Sequence, residues 1–267
     1  MTEADIPARA AEILPPITDP TVHREIARLA RLHEQAGGIG MQILHIVGGG
    51  AEKAIDKVPE RYRARVDRLT RTGLEQAVGL ASASRRVLRD RGEGFDRAMA
   101  TASGAAGGMF GIVGAMVELP ATVAMLMRAM LGVAAEHGLD ADSDLVRREC
   151  LRIFAVAGPM TDDDATDLGL LAARLSITGQ SLSALVARVA PRLAASLGPK
   201  LVAQSVPVLG AMAGGAINYA FASYYQQLAR VHFGLMRLAE ETGLPREALT
   251  EALRLAIEDS RKGLARG

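Results

Sequence analysis

The amino-acid sequence predicts an all-α protein. Strand signals are nearly absent, because no sustained run of alternating Val, Ile, Thr or aromatic residues is bounded by turn residues. Apolar residues instead recur at helical spacing along most of the 267-residue chain, of which 49% is hydrophobic. That much apolar surface can bury a substantial core, so we expect a single multi-helix bundle with an N-terminal helical appendage.

The first predicted element is an amphipathic helix over residues 21–35, whose apolar side chains fall on one face. A Gly-rich interval follows over residues 37–50 and lacks the spacing of a phosphate-binding loop. We therefore place a domain boundary close behind this interval. The N-terminal appendage with its Gly-rich linker is predicted over residues 1–55, and the main domain over residues 56–267.

A long helix is predicted from Val58 onward, with Arg61, Arg65 and Arg68 along one of its faces. An arginine-rich face is usually just solvated. Near an anionic membrane, however, each arginine adds about 1 kcal/mol of attraction. These three arginines are therefore our candidate membrane contacts, with an acidic partner as the other alternative to a solvated face.

Two segments, residues 98–117 and 201–229, contain no charged residue. Both carry glycines four residues apart, a spacing that lets two helix backbones pack in direct contact. An exposed glycine costs a helix about 1 kcal/mol relative to alanine, so these glycines should be buried. The candidate helix-packing glycines are Gly107, Gly111, Gly114, Gly210 and Gly214.

These two segments are expected to form a central Gly-rich helical hairpin. Two environments remain open for it: the interior of a soluble bundle, or a membrane into which it enters as a re-entrant or shallow hairpin. Length permits a membrane crossing, but the polar and glycine content of both segments makes insertion marginal.

Glu118, Lys200, Asn218 and Tyr219 are the candidate ligand-binding residues at or within the uncharged segments. A buried polar group costs free energy unless it finds a partner. One interpretation is that Glu118 and Asn218 cap helices, or bond to each other and to Lys200 across the hairpin. The other is a polar spot at the end of an apolar groove, suited to a lipid headgroup.

No motif for metal binding or catalysis is complete. Asp140, Asp142 and Asp144 match the first ligands of a calcium loop, but Leu145 and Leu151 occupy positions that need Gly and Glu. These carboxylates are better explained as helix caps. No zinc-protease or nucleophile-elbow motif is present. We therefore expect no metal and no cofactor, and we name no catalytic residue.

Charge and cysteine content bear on partners and location. The formal net charge of +1 gives no global field for nucleic acid, which we do not expect as a partner. The single cysteine, Cys150, suits a reducing compartment and reads as a packed thiol. The first residues lack the pattern of a secretory signal. A largely cytoplasmic protein is expected.

Three stretches of the chain, spread over residues 56–240, resemble in their order and spacing the EcsC family of bacterial proteins. The residues that carry the resemblance are Glu118, Leu119 and Pro120 at an acidic-Leu-Pro turn, His137, Gly138, Leu139 and Asp140 at a second turn, and the series Lys200, Pro207, Gly210, Gly214 and Asn218. The family usually has Asp where this chain has Glu118. Its founding member is encoded beside an ABC transporter, and the resemblance implies no established activity.

We expect a protein that associates peripherally with the cytoplasmic face of the inner membrane. It would bind lipid, a membrane surface or the membrane component of an ABC-type transporter, through apolar burial and attraction to anionic headgroups. One alternative is a soluble adaptor that binds a protein partner through residues 21–35. Another is a hydrolase acting on a lipid-like or peptide substrate, with Glu118 as acid or base. Whether the protein is an enzyme, and whether it forms a homo-oligomer, stays open.

Overall fold

The computed structural model describes residues 16–38, 60–87, 93–155, 181–203 and 209–264. These residues form eight α-helices and no strand, which confirms the all-α prediction. The helices are α1 (Pro20–Gly37), α2 (Glu60–Val87), α3 (Glu93–Gly108), α4 (Gly111–Glu136), α5 (Asp144–Ala155), α6 (Leu182–Ala203), α7 (Leu209–Thr242) and α8 (Arg246–Leu264).

Helix α4 is the central helix of the bundle and contacts α2, α3, α5, α6 and α7. Its buried face carries Leu119, Val123 and Met127, which belong to the same core cluster as Phe221 and Tyr225 of α7. Among the described helices, α4 alone is long and apolar enough to cross a membrane by length and composition, over Val113–Glu136. Within this range, 61% of an 18-residue apolar stretch is buried, as in the core helix of a bundle.

The Gly-rich segments do pack against each other, but the first of them is not one helix. Helix α3 ends at Gly108, Met109 and Phe110 form a tight turn, and α4 begins at Gly111. Gly111 has φ +63°, a left-handed conformation that favours glycine. Residues 98–117 are therefore a helical hairpin by themselves, and α7 packs along it.

The helix does not turn at Pro120, contrary to the expectation drawn from the family pattern. Helix α4 continues through Pro120, although a proline inside a helix typically costs about 3 kcal/mol. Pro120 lies against α2, where an added Cβ on Gly73 would come within 3.0 Å of the Pro120 Cα atom. The contacts that surround α4 keep it helical despite the missing backbone N–H.

Close approach between α3 and α7 depends on glycine. A Cβ atom on Gly104 would lie 2.2 Å from the carbonyl oxygen of Gly214. Gly107 leaves room for the side chain of Glu118, and a Cβ atom on Gly114 would lie 2.3 Å from the Gly107 oxygen. Three of the predicted packing glycines, Gly107, Gly114 and Gly214, thus lie at close contacts. Of the other two, Gly111 makes the turn between α3 and α4, and Gly210 lies in the first turn of α7.

Helix α1 packs against α7 and α8 at the other end of α7. Its buried apolar face includes Leu29, which packs against Gly234 of α7. An added Cβ on Gly234 would lie 2.7 Å from the Leu29 side chain. Asp19 caps the helix by accepting a 2.7 Å hydrogen bond from the Thr21 backbone N–H. The boundary predicted between residues 55 and 56 lies outside the described residues and stays a prediction.

Of the acidic residues after α4, Asp140 caps a turn, whereas α5 is capped by Ser143, whose hydroxyl accepts a 3.3 Å hydrogen bond from the Val146 N–H. Gly138 adopts φ +77° and ends α4, with the Leu139 N–H donating to the Ala134 carbonyl. Asp140 accepts from the Asp142 N–H at 3.0 Å. This geometry is that of a capped turn leading into α5.

Candidate functional site

Three of the four predicted ligand-binding residues meet in one buried cluster. Lys200 Nζ donates to Glu118 Oε2 at 2.6 Å and to Thr122 Oγ1 at 2.8 Å. Asn218 Nδ2 donates to Glu118 Oε1 at 2.8 Å and to the Ala100 carbonyl at 2.9 Å. We call Glu118, Lys200, Asn218, Thr122 and Ser103 the polar cluster.

The polar cluster joins four helices at one carboxylate. Ser103 of α3 and Thr122 of α4 also donate to Glu118 Oε1, at 3.0 and 2.6 Å. Lys200 comes from α6 and Asn218 from α7. The sequence analysis missed Ser103 and Thr122; Thr122 could have been found, because it lies one helical turn after Glu118.

Electrostatics keep the carboxylate charged. Burial by itself would raise the pKa of Glu118, but the positive charge of Lys200 and the hydrogen bonds from Lys200, Thr122 and Asn218 outweigh it and hold that pKa below its usual value. Burial lowers the pKa of Lys200, and the nearby Glu118 opposes part of that change. The Glu118 charge is therefore compensated inside the protein.

Access to the polar cluster is closed in this structure. The Lys200 side chain is 0% exposed and that of Glu118 8%. Within the cluster, the Oδ1 atom of Asn218 has no hydrogen-bond partner among the described residues. In this form the cluster ties helices together, and a ligand-binding or acid–base role for Glu118 stays a prediction.

Tyr219, the fourth candidate, lies outside the polar cluster. It follows Asn218 on α7, so its side chain is rotated by about 100° around the helix axis. Tyr219 is partly exposed at 37%, whereas Asn218 is buried. The structure does not bring Tyr219 together with Glu118 and Lys200.

A group of exposed apolar side chains lies at the end of the α3–α4 hairpin. Phe110 is 74% exposed and Met212 of α7 76%, which is unusual for large apolar residues. The exposed residues that form this group, which we call the apolar tip, are Met109, Phe110, Val113, Val117 and Met212.

Three helix ends meet at the apolar tip. Met212 lies two residues before Gly214, whose carbonyl is next to Gly104 of α3. The start of α7 therefore lies beside the end of α3 and the start of α4. The polar cluster lies directly behind the tip, because Glu118 follows Val117 on α4. Sequence analysis identified the uncharged segment but not the exposed Met109–Phe110 turn, whose signal is a pair of large apolar residues between Gly108 and Gly111.

The structure places two of the three candidate membrane-contact arginines on the solvent side of α2. Arg65 and Arg68 are exposed. Arg61 lies in the first turn of α2, and its side chain is outside the described set. Their contact with a membrane stays a prediction.

A second buried ionic group, missed in the sequence analysis, lies around Glu149. Its carboxylate contacts His232 Nε2 at 2.7 Å, Arg152 Nη1 at 2.5 Å and Arg246 Nη2 at 3.9 Å. Burial would raise the pKa of Glu149, but the hydrogen bond with His232 and the charges of Arg152 and Arg246 lower it overall. The group joins α5, α7 and α8. The signal was the position of Glu149 on the apolar face of α5, beside the buried Cys150.

Metal-ligating side chains are not grouped in the part of the chain that the structure describes. No three His, Cys, Asp or Glu residues among them lie close enough together to hold a metal ion. The arrangement at the hairpin end thus consists of an exposed apolar surface in front of an internally neutralised polar cluster.

A protein-family comparison gives the relationship of the chain. The model of the EcsC protein family matches residues 32–238. The chain belongs to the EcsC protein family. In this EcsC protein the matched region begins within α1 and ends within α7, so it includes the apolar tip, the polar cluster and the Glu149 group except Arg246. Comparisons with curated proteins and with solved structures gave no match.

Proposed function

We propose that this EcsC protein binds a membrane surface peripherally and inserts the apolar tip into it. The observation that carries the proposal is the exposure of five large apolar side chains at one end of the bundle. Moving such side chains from water into lipid contributes on the order of 1–2 kcal/mol each at their degree of exposure. Exposed apolar patches of this kind mark interaction sites.

The insertion is expected to be shallow. Val113 and Val117 are one helical turn apart, a rise of about 6 Å. Directly behind them lies the ionised Glu118–Lys200 pair, which would be expensive to bring to the hydrocarbon core. The apolar tip therefore suits the depth of about 5–10 Å at which peripheral segments bury apolar side chains.

Close packing behind the tip supports the proposal, because it fixes the inserted residues before binding. The Gly104–Gly214 contact brings α7 against α3, and the polar cluster ties both to α4 and α6. A pre-organised surface loses less conformational entropy when it binds.

The alternatives have less support in the described residues. The adaptor hypothesis needs the apolar face of α1, which is buried against α7 and α8. The hydrolase hypothesis needs an accessible Glu118, whose carboxylate already accepts hydrogen bonds from four side chains. Lipid, rather than the membrane component of an ABC-type transporter, is the partner proposed, because the tip offers apolar burial alone.

Vesicle flotation of the purified full-length protein tests the proposal. The tip variant is Phe110→Ser/Met212→Ser, and the matched control is Leu145→Ser, which alters an exposed apolar side chain on α5. Wild type and Leu145→Ser should float with the vesicles, and the tip variant should bind at least about tenfold more weakly. The proposal fails if wild type binds no vesicle of any composition, or if the tip variant binds as well as wild type.

A further inference from the structure

The direction of α2 relative to α4 follows from the hairpin and from chain length. In the α3–α4 hairpin, Asp96 near the start of α3 forms a 2.9 Å ion pair with Arg128. Arg128 lies 17 residues after Gly111 on α4, about 25 Å from the turn. Helix α3 therefore begins at the end of the bundle opposite to the apolar tip.

Helix α2 must end near that same place. Only residues 88–92 separate Val87 from Glu93, and a chain of that length spans at most about 20 Å. Gly73 of α2 lies against Pro120 of α4. If α2 ran antiparallel to α4, Val87 would lie level with the tip and roughly 30 Å from Glu93, which the chain cannot span. Helix α2 therefore runs parallel to α4.

Parallel packing places the start of α2 at the tip end. Arg68 and Arg65 precede Gly73 by five and eight residues, so they lie level with residues 115 and 112 of α4. Residues 113–117 of α4 carry the exposed valines of the apolar tip. The two arginines are thus level with the first turns of α4, where the exposed valines lie, and about 3–8 Å behind Phe110.

The charges of these arginines are available to a ligand. Among the described residues neither Arg65 nor Arg68 has an ion-pair partner, whereas Arg71, farther along α2, pairs with Glu75 at 3.2 Å. Asp67 is also exposed, but its side chain is rotated around the helix axis by about 100° from Arg68 and by about 160° from Arg65. Among the described side chains of the neighbouring helices at this end, the buried Glu118 and Lys200 neutralise each other.

We propose that the membrane recognised by this protein is an anionic phospholipid bilayer, with the bundle standing end-on so that Arg65 and Arg68 meet lipid phosphates while the Met109–Phe110 turn of the apolar tip lies below them. This inference rests on the proposed membrane binding and specifies its lipid class and orientation. Depth supports it, because phosphates lie above the acyl boundary that apolar side chains reach. Guanidinium groups bind phosphate with paired hydrogen bonds.

A protein partner fits this end less well. Among the described residues, the apolar tip borders the uncharged residues 98–117 and the start of α7, with the two arginines of α2 alongside, whereas protein interfaces carry a polar rim with about one hydrogen bond per 100–200 Å². The Met109–Phe110 turn in front and cations a few ångströms behind it match the layers of a bilayer surface instead.

Flotation with vesicles of phosphatidylcholine alone and of phosphatidylcholine with 30% phosphatidylglycerol tests the inference, using Arg65→Gln/Arg68→Gln. The matched control is Arg24→Gln/Arg31→Gln, which removes two exposed arginines from α1 at the other end of α7. Wild type should bind the anionic vesicles more tightly, and this preference should shrink at high salt. The Arg65/Arg68 variant should lose roughly 10- to 30-fold in binding to anionic vesicles only.

Two outcomes overturn the inference while leaving membrane binding intact. In one, wild type binds both vesicle types equally; in the other, the Arg24/Arg31 control loses as much affinity as the Arg65/Arg68 variant. Absence of wild-type binding to either vesicle type would instead overturn the proposed function itself. Circular dichroism of each variant checks that the helices remain folded.

Discussion

Replacement of the buried Lys200 by Met should lower the free energy of unfolding more than replacement of an exposed arginine would. Lys200 Nζ is 2.6 Å from Glu118 Oε2 in a site where both side chains are almost fully buried. Removing one partner of a buried pair leaves an uncompensated charge and typically costs about 3–5 kcal/mol. Ser103, Thr122 and Asn218 would still donate to Glu118, so we expect about 3 kcal/mol for Lys200→Met.

A double-mutant cycle separates the charge from the packing. Met is close to Lys in volume, and Glu118→Gln removes the charge while keeping an acceptor oxygen. The double variant Glu118→Gln/Lys200→Met should therefore be about 2 kcal/mol more stable than Lys200→Met alone. Urea unfolding followed by circular dichroism at equilibrium measures these free energies. A loss below about 1 kcal/mol for Lys200→Met, or strictly additive losses in the double variant, would refute the account of the polar cluster.

Other predictions concern glycine and pH. Gly104→Ala should destabilise the protein by at least about 2 kcal/mol, because its Cβ would lie 2.2 Å from the Gly214 oxygen. Gly79→Ala should stabilise α2 by up to about 1 kcal/mol, because an added Cβ at this position meets no neighbouring atom within 4 Å. Equal changes in the free energy of unfolding for Gly104→Ala and Gly79→Ala, measured by urea unfolding, would contradict the close α3–α7 contact. Glu118 and Glu149 have folded-state pKa values below their usual ones, so both add stability above the unfolded pKa of about 4.3. That contribution should be lost as pH falls through the folded-state pKa values. Urea unfolding measures the free energy of unfolding at each pH, and in Glu149→Gln it should fall less steeply with pH than in wild type. A wild-type free energy of unfolding that stays constant from pH 7 to pH 3 would contradict this assignment.

Much of the fold was predictable because it follows from local periodicity. The all-α class and the helix over residues 21–35 came from residue spacing alone. Of the predicted packing glycines, only Gly214 lies at a contact between the two uncharged segments, and its partner Gly104 was not predicted. Helix α1 occupies Pro20–Gly37, within two residues of the predicted bounds. The continuous helix through Pro120 was not predictable, because proline's local preference is overcome by contacts with α2 that depend on the tertiary structure.

The candidate site was predictable only in part. Glu118, Lys200 and Asn218 stand out in sequence because they are polar residues in or beside uncharged segments. Glu149 escaped notice because it lies among other charged residues, and His232 because it is more than 80 positions away. The exposure of Phe110 escaped notice too, since the glycines on either side can mark a turn but do not show whether the apolar residues between them face solvent.

The position of Arg65 and Arg68 beside the tip also could not be predicted from the sequence. Their helix face is readable from periodicity, but their level along the bundle depends on the direction of α2. That direction follows from the Gly73–Pro120 contact and the short connection to α3. Long-range contacts of this kind leave no periodic signal.

Insertion of the apolar tip is tested most directly by an environment-sensitive fluorophore at position 110. The protein's own Cys150 is buried, so Phe110→Cys can be labelled selectively, with Leu145→Cys as the control. On addition of anionic vesicles, the probe at 110 should shift to shorter wavelength and be quenched by spin labels on the acyl chains, whereas the probe at 145 should not change. No change at position 110, or equal changes at both positions, would contradict the account.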